Sequence, residues 1–282
     1  MSDEKPDLYG VIGYPIAHSR SPIIHKLFAM QTGQNLQYDA FNVKPDALET
    51  EINRFRRNGG LGLNVTTPHK AAVAKLVDSM TERAQVAGAV NTIVFHDDRM
   101  EGDNTDGYGL IRDLKENLDV EFEDAEILIL GAGGAVNGIM SPLLKENPRE
   151  IVIANRSLSK AKVLAEYFGT QGTVQPCRFD SVPERDDGYD LIINATSAGL
   201  KGEAPPYPDA AVGSKTLCYD LSYALSPTPF CQWASERKAG QSVMGWGMLV
   251  EQAAESFHLW RGIRPETAPV LNQVRMSGHF KK

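Results

Sequence analysis

The chain has 282 residues, 42% of them hydrophobic, which suits two modest domains or one large one and argues against global disorder. Its formal net charge of −7 disfavours a nucleic-acid partner, because no strong basic field is present to displace counterions from phosphates. Three cysteines without CxxC spacing, a polar start without a signal-peptide pattern and the lack of a ~20-residue apolar run predict a cytoplasmic protein with reduced thiols and no membrane helix.

The first hundred residues alternate short apolar runs with amphipathic stretches, which predicts a mainly parallel sheet covered on both faces. Strands are predicted at 8–12, 38–43, 61–65, 90–96 and 100–102, the last two as a pair joined by a charged turn. Helices are predicted at 22–30, 46–57, 71–77, 81–87 and 106–118. The first of these should have Ser21 as its N-cap and Pro22 in its first turn.

The second half shows a cleaner alternation of strands and helices. Short apolar strands are predicted at 127–130, 151–154, 191–193 and 217–221, with helices between the first three. A break is predicted at 240–247, followed by a strong final helix at 248–260. The fold class is therefore α/β throughout.

A glycine-rich run, Gly131-Ala132-Gly133-Gly134-Ala135, directly follows the strand at 127–130. Gly131 permits a tight turn, and Gly133 lets the backbone approach a pyrophosphate. The amides at the start of the next helix would then face that pyrophosphate. The run predicts a dinucleotide site, since a strand precedes it and a second strand arrives at the expected distance.

The end of the strand at 151–154 distinguishes the two nicotinamide cofactors. An NAD enzyme commonly places a carboxylate there to accept a hydrogen bond from the ribose 2′-hydroxyl. Here Asn155-Arg156-Ser157 follows, with Lys160 one turn on, and these cations attract a 2′-phosphate. NADP is favoured. The loop 194–199 should line the nicotinamide half of the cleft, although a capped polar turn is an equally good interpretation from spacing alone.

Three polar clusters lie in the first half. Ser19-Arg20-Ser21-Pro22 opens a helix and could hold a carboxylate, although such a run is more often a plain cap. The segment 64–70 ends in Lys70, and 102–107 contains Asp106. By themselves these two would be a surface lysine and a first-turn helix acid.

Taken together, the motifs resemble the shikimate dehydrogenase family over roughly residues 8–260. The segments that carry the resemblance occur in order, and they are Ser-x-Ser-Pro at 19–22, Asn-Val-Thr-x-Pro-x-Lys at 64–70, Ala-Gly-Ala-Val-Asn-Thr at 87–92, Gly-Asp-Asn-Thr-Asp-Gly at 102–107, Gly-Ala-Gly-Gly-Ala at 131–135, Asn-Arg-Ser at 155–157, Asn-Ala-Thr-Ser at 194–197 and Gly-Met-Leu-Val-Glu-Gln-Ala at 247–253. Any one motif alone is modest evidence for the family, whereas eight motifs in this order are specific to it.

The resemblance implies two domains: a substrate domain of residues 1–106 with 244–282, and a Rossmann-type NADP domain of residues 107–243. It implies reversible, NADPH-dependent reduction of 3-dehydroshikimate to shikimate, a step of chorismate and aromatic amino-acid biosynthesis. Val136-Asn137 departs from many relatives, which carry a small residue and then Arg there, so Arg156 and Lys160 would have to hold more of the cofactor's charge.

The resemblance also implies roles for individual residues. Lys70 and Asp106 would be the catalytic pair. The substrate residues would be Ser19 and Ser21 at the carboxylate, Asn64, Thr66, Asn91 and Gln252 at the ring hydroxyls, and Tyr223 closing the site beside the cofactor. The expected cofactor residues are Gly131, Ala132, Gly133, Gly134, Ala135, Asn155, Arg156, Ser157, Lys160, Thr196, Gly245 and Met248.

Several alternatives stay open at this stage. A quinate or polyol dehydrogenase of broader specificity, a non-catalytic NADP-sensing homologue and a reductase of another small carbonyl compound share the plan. The presence of both Lys70 and Asp106 argues against a sensor. Lys70 could be the proton donor or only an electrostatic anchor. We expect a small-molecule substrate, no metal, and a monomer or homodimer.

Overall fold

The computed structural model describes residues 5–196 and 206–277, and it divides into two compact units. Unit 1 comprises the chain up to Arg112 together with the chain from Leu249 onward, and unit 2 comprises Asp113–Met248. Residues 1–4 of the polar N-terminal stretch and residues 197–199 of the predicted nicotinamide loop lie outside the described residues.

Unit 1 is built on a mixed six-stranded sheet in the order β2-β1-β3-β5-β6-β4. The strands are β1 (Asp7–Gly13), β2 (Leu36–Asn42), β3 (Gly60–Val65), β4 (Ser79–Met80), β5 (Thr92–Phe95) and β6 (Met100–Asp103). β1 runs parallel to β2 and β3, and β4 runs parallel to β6, whereas β5 is antiparallel to both of its neighbours. The predicted pairing of two strands across a charged turn is the β5–β6 hairpin.

The helices of the first part of unit 1 are α1 (Ser21–Thr32), α2 (Leu48–Arg57), α3 (Lys70–Val73), α4 (Glu82–Ala87) and α5 (Asp106–Arg112). α3 and α5 begin directly after polar segments that follow β3 and β6. This arrangement places Lys70 and Asp106 each at the first residue of a helix, beside the ends of two strands.

Unit 2 is a parallel six-stranded sheet in the order β12-β11-β10-β7-β8-β9, the strand order of a Rossmann fold. The strands are β7 (Glu126–Leu130), β8 (Glu150–Ala154), β9 (Val174–Cys177), β10 (Leu191–Asn194), β11 (Leu217–Asp220) and β12 (Gln241–Met244). Its helices are α6 (Gly134–Leu144), α7 (Leu158–Phe168) and α8 (Pro229–Glu236). The order reverses between β7 and β10, which is where such sheets bind ligands.

Two helices complete the described chain, α9 (Trp246–Arg261) and α10 (Ala268–Ser277). The central strands of unit 2 are fully buried, as expected for a parallel sheet with covered faces. Within residues 5–196 and 206–277, we find no helix of the length and apolarity that a bilayer crossing requires. The α/β fold class predicted from the sequence, with two domains of which one is of Rossmann type, is confirmed.

Three predicted elements are wrong in detail. The break predicted at 240–247 contains β12, whose polar and half-exposed residues are held by parallel pairing with β11. The helix predicted at 71–77 is only the short α3, because the backbone tightens into turns after Val73. The helix predicted at 106–118 is α5 followed by a π-helical turn at Asp113–Asn117.

The predicted N-cap of α1 is also wrong. Arg20 occupies the N-cap position and makes no side-chain cap bond, while Ser21 is the first helical residue. The Ser19 hydroxyl instead accepts a hydrogen bond from the Ser21 amide at 3.3 Å. The Ser21 hydroxyl is therefore not needed to cap the helix.

Candidate active site

The Lys70 ammonium and the Asp106 carboxylate form an ion pair in unit 1. Lys70 Nζ lies 2.5 Å from Asp106 Oδ2. The two side chains are 31% and 15% exposed, so the pair is largely shielded from water but still accessible. An ammonium held in this way can stabilise negative charge on a neighbouring oxygen and can donate a proton to it.

Asn91 holds the other oxygen of Asp106. Its Nδ2 donates to Asp106 Oδ1 at 2.8 Å and to Thr105 Oγ1 at 2.9 Å. A longer contact of 3.3 Å joins the same nitrogen to Oε1 of Gln252, which α9 contributes. Asn91 Oδ1 accepts from the Thr105 amide at 2.9 Å, which fixes the orientation of the Asn91 amide. Lys70, Asp106, Asn91 and Gln252 thus form one connected polar cluster.

Asn64 lies at the end of β3 and is buried. Its Oδ1 accepts a 2.7 Å hydrogen bond from the Tyr38 hydroxyl. Its Nδ2 donates to the Asn91 carbonyl, to Thr92 Oγ1 and to Ser256 Oγ at 2.9–3.3 Å. The predicted substrate residues Asn64 and Asn91 are therefore part of the same network.

The remaining substrate residues predicted in unit 1 lie at the starts of elements. Ser19 and Ser21 flank the beginning of α1, and both are at least partly buried. Thr66 follows β3, and its amide donates to the Ile12 carbonyl at 3.0 Å. The Thr66 methyl group packs closely against the end of β1, since a Cβ added to Gly13 would lie only 2.6 Å from it.

A charged network supports the turn that carries Asp106. Arg83 donates twice to Asp103, at 2.6 and 2.7 Å, and Thr81 Oγ1 adds a third hydrogen bond at 2.6 Å. Burial alone would raise the pKa of Asp103, but these bonds outweigh it and hold the pKa below the ordinary value. Next to it, Asn104 Oδ1 accepts from the Asp106 amide at 3.1 Å and so caps α5.

The glycine run of unit 2 turns from β7 into α6. Gly131 has φ +111°, a conformation that L side chains rarely adopt, and a Cβ there would lie 3.1 Å from the Ala195 carbonyl oxygen. Gly133 is the N-cap of α6. A Cβ on Gly133 or Gly134 would meet no atom of the described residues within 4 Å. The amides at the start of α6 are therefore open to an anionic ligand, as a pyrophosphate requires.

Two cations stand at the start of α7. Arg156 and Lys160 are both exposed, and neither forms an ion pair within residues 5–196 and 206–277. Ser157 is the N-cap, and its hydroxyl meets that of Ser159 at 2.9 Å. Asn155 Nδ2 donates to the Ser157 carbonyl at 2.9 Å, so its side chain shapes this turn. Cations at a helix N-terminus are unfavourable unless an anion accompanies them, which fits a 2′-phosphate.

The ends of β10 and β11 are joined by buried polar groups. Asn194 Nδ2 donates to Asp220 Oδ1 at 3.1 Å, and Asn194 Oδ1 accepts from the Thr196 hydroxyl at 2.7 Å. Burial raises the pKa of Asp220, although hydrogen bonds from Thr228 and neighbouring groups partly offset this effect. Thr196 is thereby held at the edge of the sheet where a cofactor is expected.

The last predicted residues of unit 2 surround the start of α9. A Cβ on Gly245 would lie 2.7 Å from the Leu221 carbonyl oxygen, so a close backbone approach requires glycine there. The Met248 amide donates to the Tyr219 hydroxyl at 3.3 Å. The ring of Tyr223 lies 4.7 Å from that of Trp246. Within the described part of the chain, no cluster of three His, Cys, Asp or Glu side chains suits a metal ion.

Comparison with known proteins identifies the family. Residues 11–93 match the model of the shikimate dehydrogenase substrate binding domain, 113–201 that of shikimate / quinate 5-dehydrogenase, and 245–275 that of the shikimate 5′-dehydrogenase C-terminal domain. The shikimate dehydrogenase (NADP(+)) of Methylococcus capsulatus is 52% identical over 96% of each chain. The chain belongs to the shikimate dehydrogenase family.

Solved shikimate dehydrogenase relatives share the fold. A Thermus thermophilus shikimate 5-dehydrogenase, solved with NADP(H) and shikimate, is 30% identical with a TM-score of 0.84 over 96% of this chain and 99% of its own. A Pseudomonas putida structure described as an Ael1 enzyme is 42% identical with a TM-score of 0.87, covering 95% and 97%. The resemblance and the NADP preference predicted from the sequence are thereby confirmed.

In this member of the shikimate dehydrogenase family, the structure brings together most of the residues predicted in unit 1. Lys70, Asp106, Asn91 and Gln252 share direct hydrogen bonds, and Asn64 joins them through the Asn91 carbonyl. Tyr223 belongs to unit 2 and is placed there beside Trp246. The roles of all these residues stay predictions.

Sequence reasoning missed several supporting residues. Thr105 lies inside a recognised motif, so the motif itself could have pointed to it. Tyr38, Arg83 and Ser256 stand outside every motif, and they reach the site only through side-chain contacts between distant segments. No local pattern in the sequence signals such contacts.

Proposed function

We propose that the chain is an NADP-dependent shikimate dehydrogenase that interconverts shikimate and 3-dehydroshikimate. Beside its family membership, the observation that supports this most is the 2.5 Å pair of Lys70 and Asp106, to which the Asn91 amide donates and which Asn91 links to Gln252. A cofactor sensor has no need of such a proton-transfer pair. The proposed roles of the two units are substrate binding by unit 1 and cofactor binding by unit 2. The predicted domain boundaries, after residues 106 and 243, precede the unit boundaries after Arg112 and Met248.

The polar groups of unit 1 suit a polyhydroxylated ring that carries a carboxylate. Ser19 and Ser21 present hydroxyls at the start of α1, where a helix N-terminus favours an anion. Asn64, Thr66, Asn91 and Gln252 supply amide and hydroxyl groups for ring hydroxyls. Buried amides favour a substrate with matching hydroxyls, because an analogue lacking them would leave polar groups unpaired.

NADPH supplies the hydride that reduces the ring carbonyl. As the carbonyl carbon is reduced, its oxygen gains negative charge and needs a proton. The Lys70 ammonium stabilises that oxygen and donates the proton, and Asp106 orients Lys70 while accepting from the same hydroxyl in the alcohol. In the reverse direction Lys70 takes the proton back. Asn91 keeps the carboxylate of Asp106 in place throughout.

The residues of unit 2 fit NADP. The open turn of Gly133 and Gly134 leads into α6, whose amides would face the pyrophosphate. Arg156 and Lys160 are available for a 2′-phosphate, and Arg can bind it through two parallel hydrogen bonds. Thr196, Gly245 and Met248 complete the proposed cofactor side, and Tyr223 would close the substrate site beside the cofactor.

The decisive experiment measures nicotinamide absorbance after the purified protein is mixed with shikimate or quinate, each with NADP or NAD. Rapid reduction of NADP with shikimate supports the proposal. Comparable rates with quinate or NAD would indicate a dehydrogenase of broader specificity. Cofactor binding without turnover in any pairing would contradict the proposal and favour a sensor or a different substrate.

We also propose that the protein works in the cytoplasm on small molecules, without a nucleic-acid partner, as a monomer or homodimer. The net charge of −7 supports the lack of a nucleic-acid partner, because the protein would repel phosphate backbones. Light scattering of the purified protein would determine the oligomeric state, and a mass above that of a dimer would contradict the proposal.

A further inference from the structure

Tyr38 is the side chain that β2 directs into the core. Of the seven residues of this strand, Tyr38 alone is buried, at 8% exposure. β2 pairs only with β1, so it is an edge strand, and Tyr38 lies opposite Tyr9 in the register of that pair. Leu36 and Phe41 of the same strand are only partly buried against the core clusters, so Tyr38 is the residue of β2 whose hydroxyl is enclosed in the protein.

The Tyr38 hydroxyl lies beside two residues of the proposed substrate site. It donates to Asn64 Oδ1 at 2.7 Å, and the Ser21 side chain is a second polar neighbour. Burial raises the pKa of Tyr38 well above its ordinary value, although the Ser21 side chain lowers it in part. The phenol therefore stays protonated and remains a donor to Asn64 wherever the enzyme is folded.

This bond determines which way the Asn64 amide faces. With Oδ1 on the phenol, Nδ2 faces three acceptors, the Asn91 carbonyl, Thr92 Oγ1 and Ser256 Oγ. A flipped amide would set its oxygen against the Asn91 carbonyl and its NH₂ group against the donating phenol. Oδ1 still has a free lone pair and is then the atom of Asn64 that can bind a ligand. Asn64 therefore accepts a hydrogen bond from a substrate hydroxyl.

Ser21 lies beside Tyr38 at the proposed carboxylate end of the site. Its hydroxyl does not cap α1, since Arg20 is the N-cap residue. The proton of the Tyr38 phenol is donated to Asn64, so the Ser21 hydroxyl is the donor that a substrate carboxylate would meet.

The plane of the Tyr38 ring is held by aromatic neighbours. His25 stacks on it with ring centroids 4.1 Å apart and an interplanar angle of 6°. Trp260 lies against the same ring at 6.3 Å. A phenol fixed on a stacked ring has little freedom to move its hydroxyl, so its bond to Asn64 keeps its geometry.

We infer that Tyr38 is a positioning residue that sets substrate specificity: its hydroxyl fixes the orientation of the asparagine amide that binds a ring hydroxyl. The site thereby selects a ring acid that donates a hydrogen bond to Asn64 from one of its hydroxyls. This inference rests on the proposed function and deepens it. Tyr38 makes no hydrogen bond with Lys70 or Asp106 in the described residues, so it acts on binding and not on proton transfer.

The test compares Tyr38→Phe with Tyr9→Phe. Both variants remove a buried phenol hydroxyl from paired positions of β1 and β2, but the Tyr9 hydroxyl contacts Arg261 and not the site. We expect Tyr38→Phe to raise KM for shikimate about tenfold, the loss of roughly one neutral hydrogen bond, with kcat and KM for NADP changed less than about threefold. Tyr9→Phe should leave all three constants near those of the unmodified enzyme.

A second pair of variants tests the route through Asn64. In an Asn64→Ala background, Tyr38→Phe should add less than about twofold to KM for shikimate, because its target is gone. Full additivity, an unchanged KM in Tyr38→Phe alone, or equal effects of Tyr38→Phe and Tyr9→Phe would each overturn the inference. If the unmodified protein does not reduce NADP with shikimate, the proposed function itself fails, and that result is obtained before any variant is made.

Discussion

At the scale of single residues, Lys70 carries the charge that the proposed reaction needs. Its ammonium is paired with Asp106 and partly shielded from water, so it can serve a carbonyl oxygen at close range. We expect Lys70→Ala to lower kcat for shikimate oxidation by about 10²- to 10⁴-fold, the usual contribution of a general acid or base. Steady-state kinetics with saturating NADP would measure this.

Lys75→Ala provides the matched control, since it removes an exposed lysine five positions further along the same segment. It should leave kcat and KM unchanged. If Lys70→Ala instead raised KM for shikimate while keeping kcat, Lys70 would be an anchor for the substrate and not its proton donor.

Arg156 is the residue expected to distinguish NADP from NAD. Its guanidinium is exposed at the start of α7. We expect Arg156→Ala to raise KM for NADP by about 10- to 100-fold, since hydrogen bonds to charged groups are worth roughly 1.5–3 kcal/mol, and to change KM for NAD little. Lys162→Ala removes an exposed cation from the same helix beyond its first turn and should affect neither constant. An equal loss with both cofactors would contradict the assignment.

At the scale of elements, the turn between β6 and α5 positions Asp106 and depends on Arg83. Removing Arg83 would leave the Asp103 carboxylate buried without its cation, although Thr81 would still donate to it. We expect Arg83→Ala to lower the free energy of unfolding by about 2–3 kcal/mol, below the full cost of breaking a buried pair because the Arg83 side chain is 32% exposed. Urea denaturation at neutral pH would measure this difference.

Arg178→Ala is a suitable comparison, because Arg178 pairs with Asp180 at 3.5 Å between two well-exposed side chains. Exposed pairs contribute at most about 1 kcal/mol. Equal losses for the two variants would show that the Arg83 network does not support the turn.

Elements with a strong local pattern could be predicted from the sequence, and those formed by pairing could not. The strand at 127–130 and its glycine turn show the expected apolar run and positive φ, and β7 and α6 lie where that pattern places them. The sequence of β12 is polar and flanked by glycines, so its extended form comes from hydrogen bonds with β11. The residues after α3 look helical by composition, yet their backbone tightens into turns.

At the scale of the whole molecule, the sequence motifs located the two residues of the proposed catalytic pair but not the residues that support them. Lys70 and Asp106 are 36 residues apart, and each stands in a recognisable polar segment at the start of a helix. Tyr38 has no motif, and its role depends on the pairing of β1 with β2 and on contacts with α1 and β3. Tertiary contacts of this kind form when the sheet is assembled, so the local periodicity of the sequence does not predict them.

The stability of the whole fold should depend on pH through His25, which is fully buried among aromatic rings. Burial lowers its pKa from 6.5 to about 3, and the nearby Asn64 amide, which lies outside hydrogen-bond geometry, offsets this only in part. The unfolded chain therefore binds a proton at His25 before the folded chain does. Stability is complete above pH 6.5 and falls as the pH decreases towards 3.

Between pH 6.5 and 4, we expect His25 to remove about 1.4 kcal/mol of unfolding free energy per pH unit at most. Asp103, whose folded-state pKa is lowered, loses its contribution as the pH falls through its ordinary value of 3.8, and Asp220, whose pKa is raised, also titrates near this window, so the contribution of His25 is obtained from the difference between the variant and the unmodified protein. Urea denaturation across the window should show a smaller slope in His25→Phe, which keeps an aromatic ring in the cluster. Equal slopes in the variant and the unmodified protein would show that His25 is protonated equally in the folded and unfolded states.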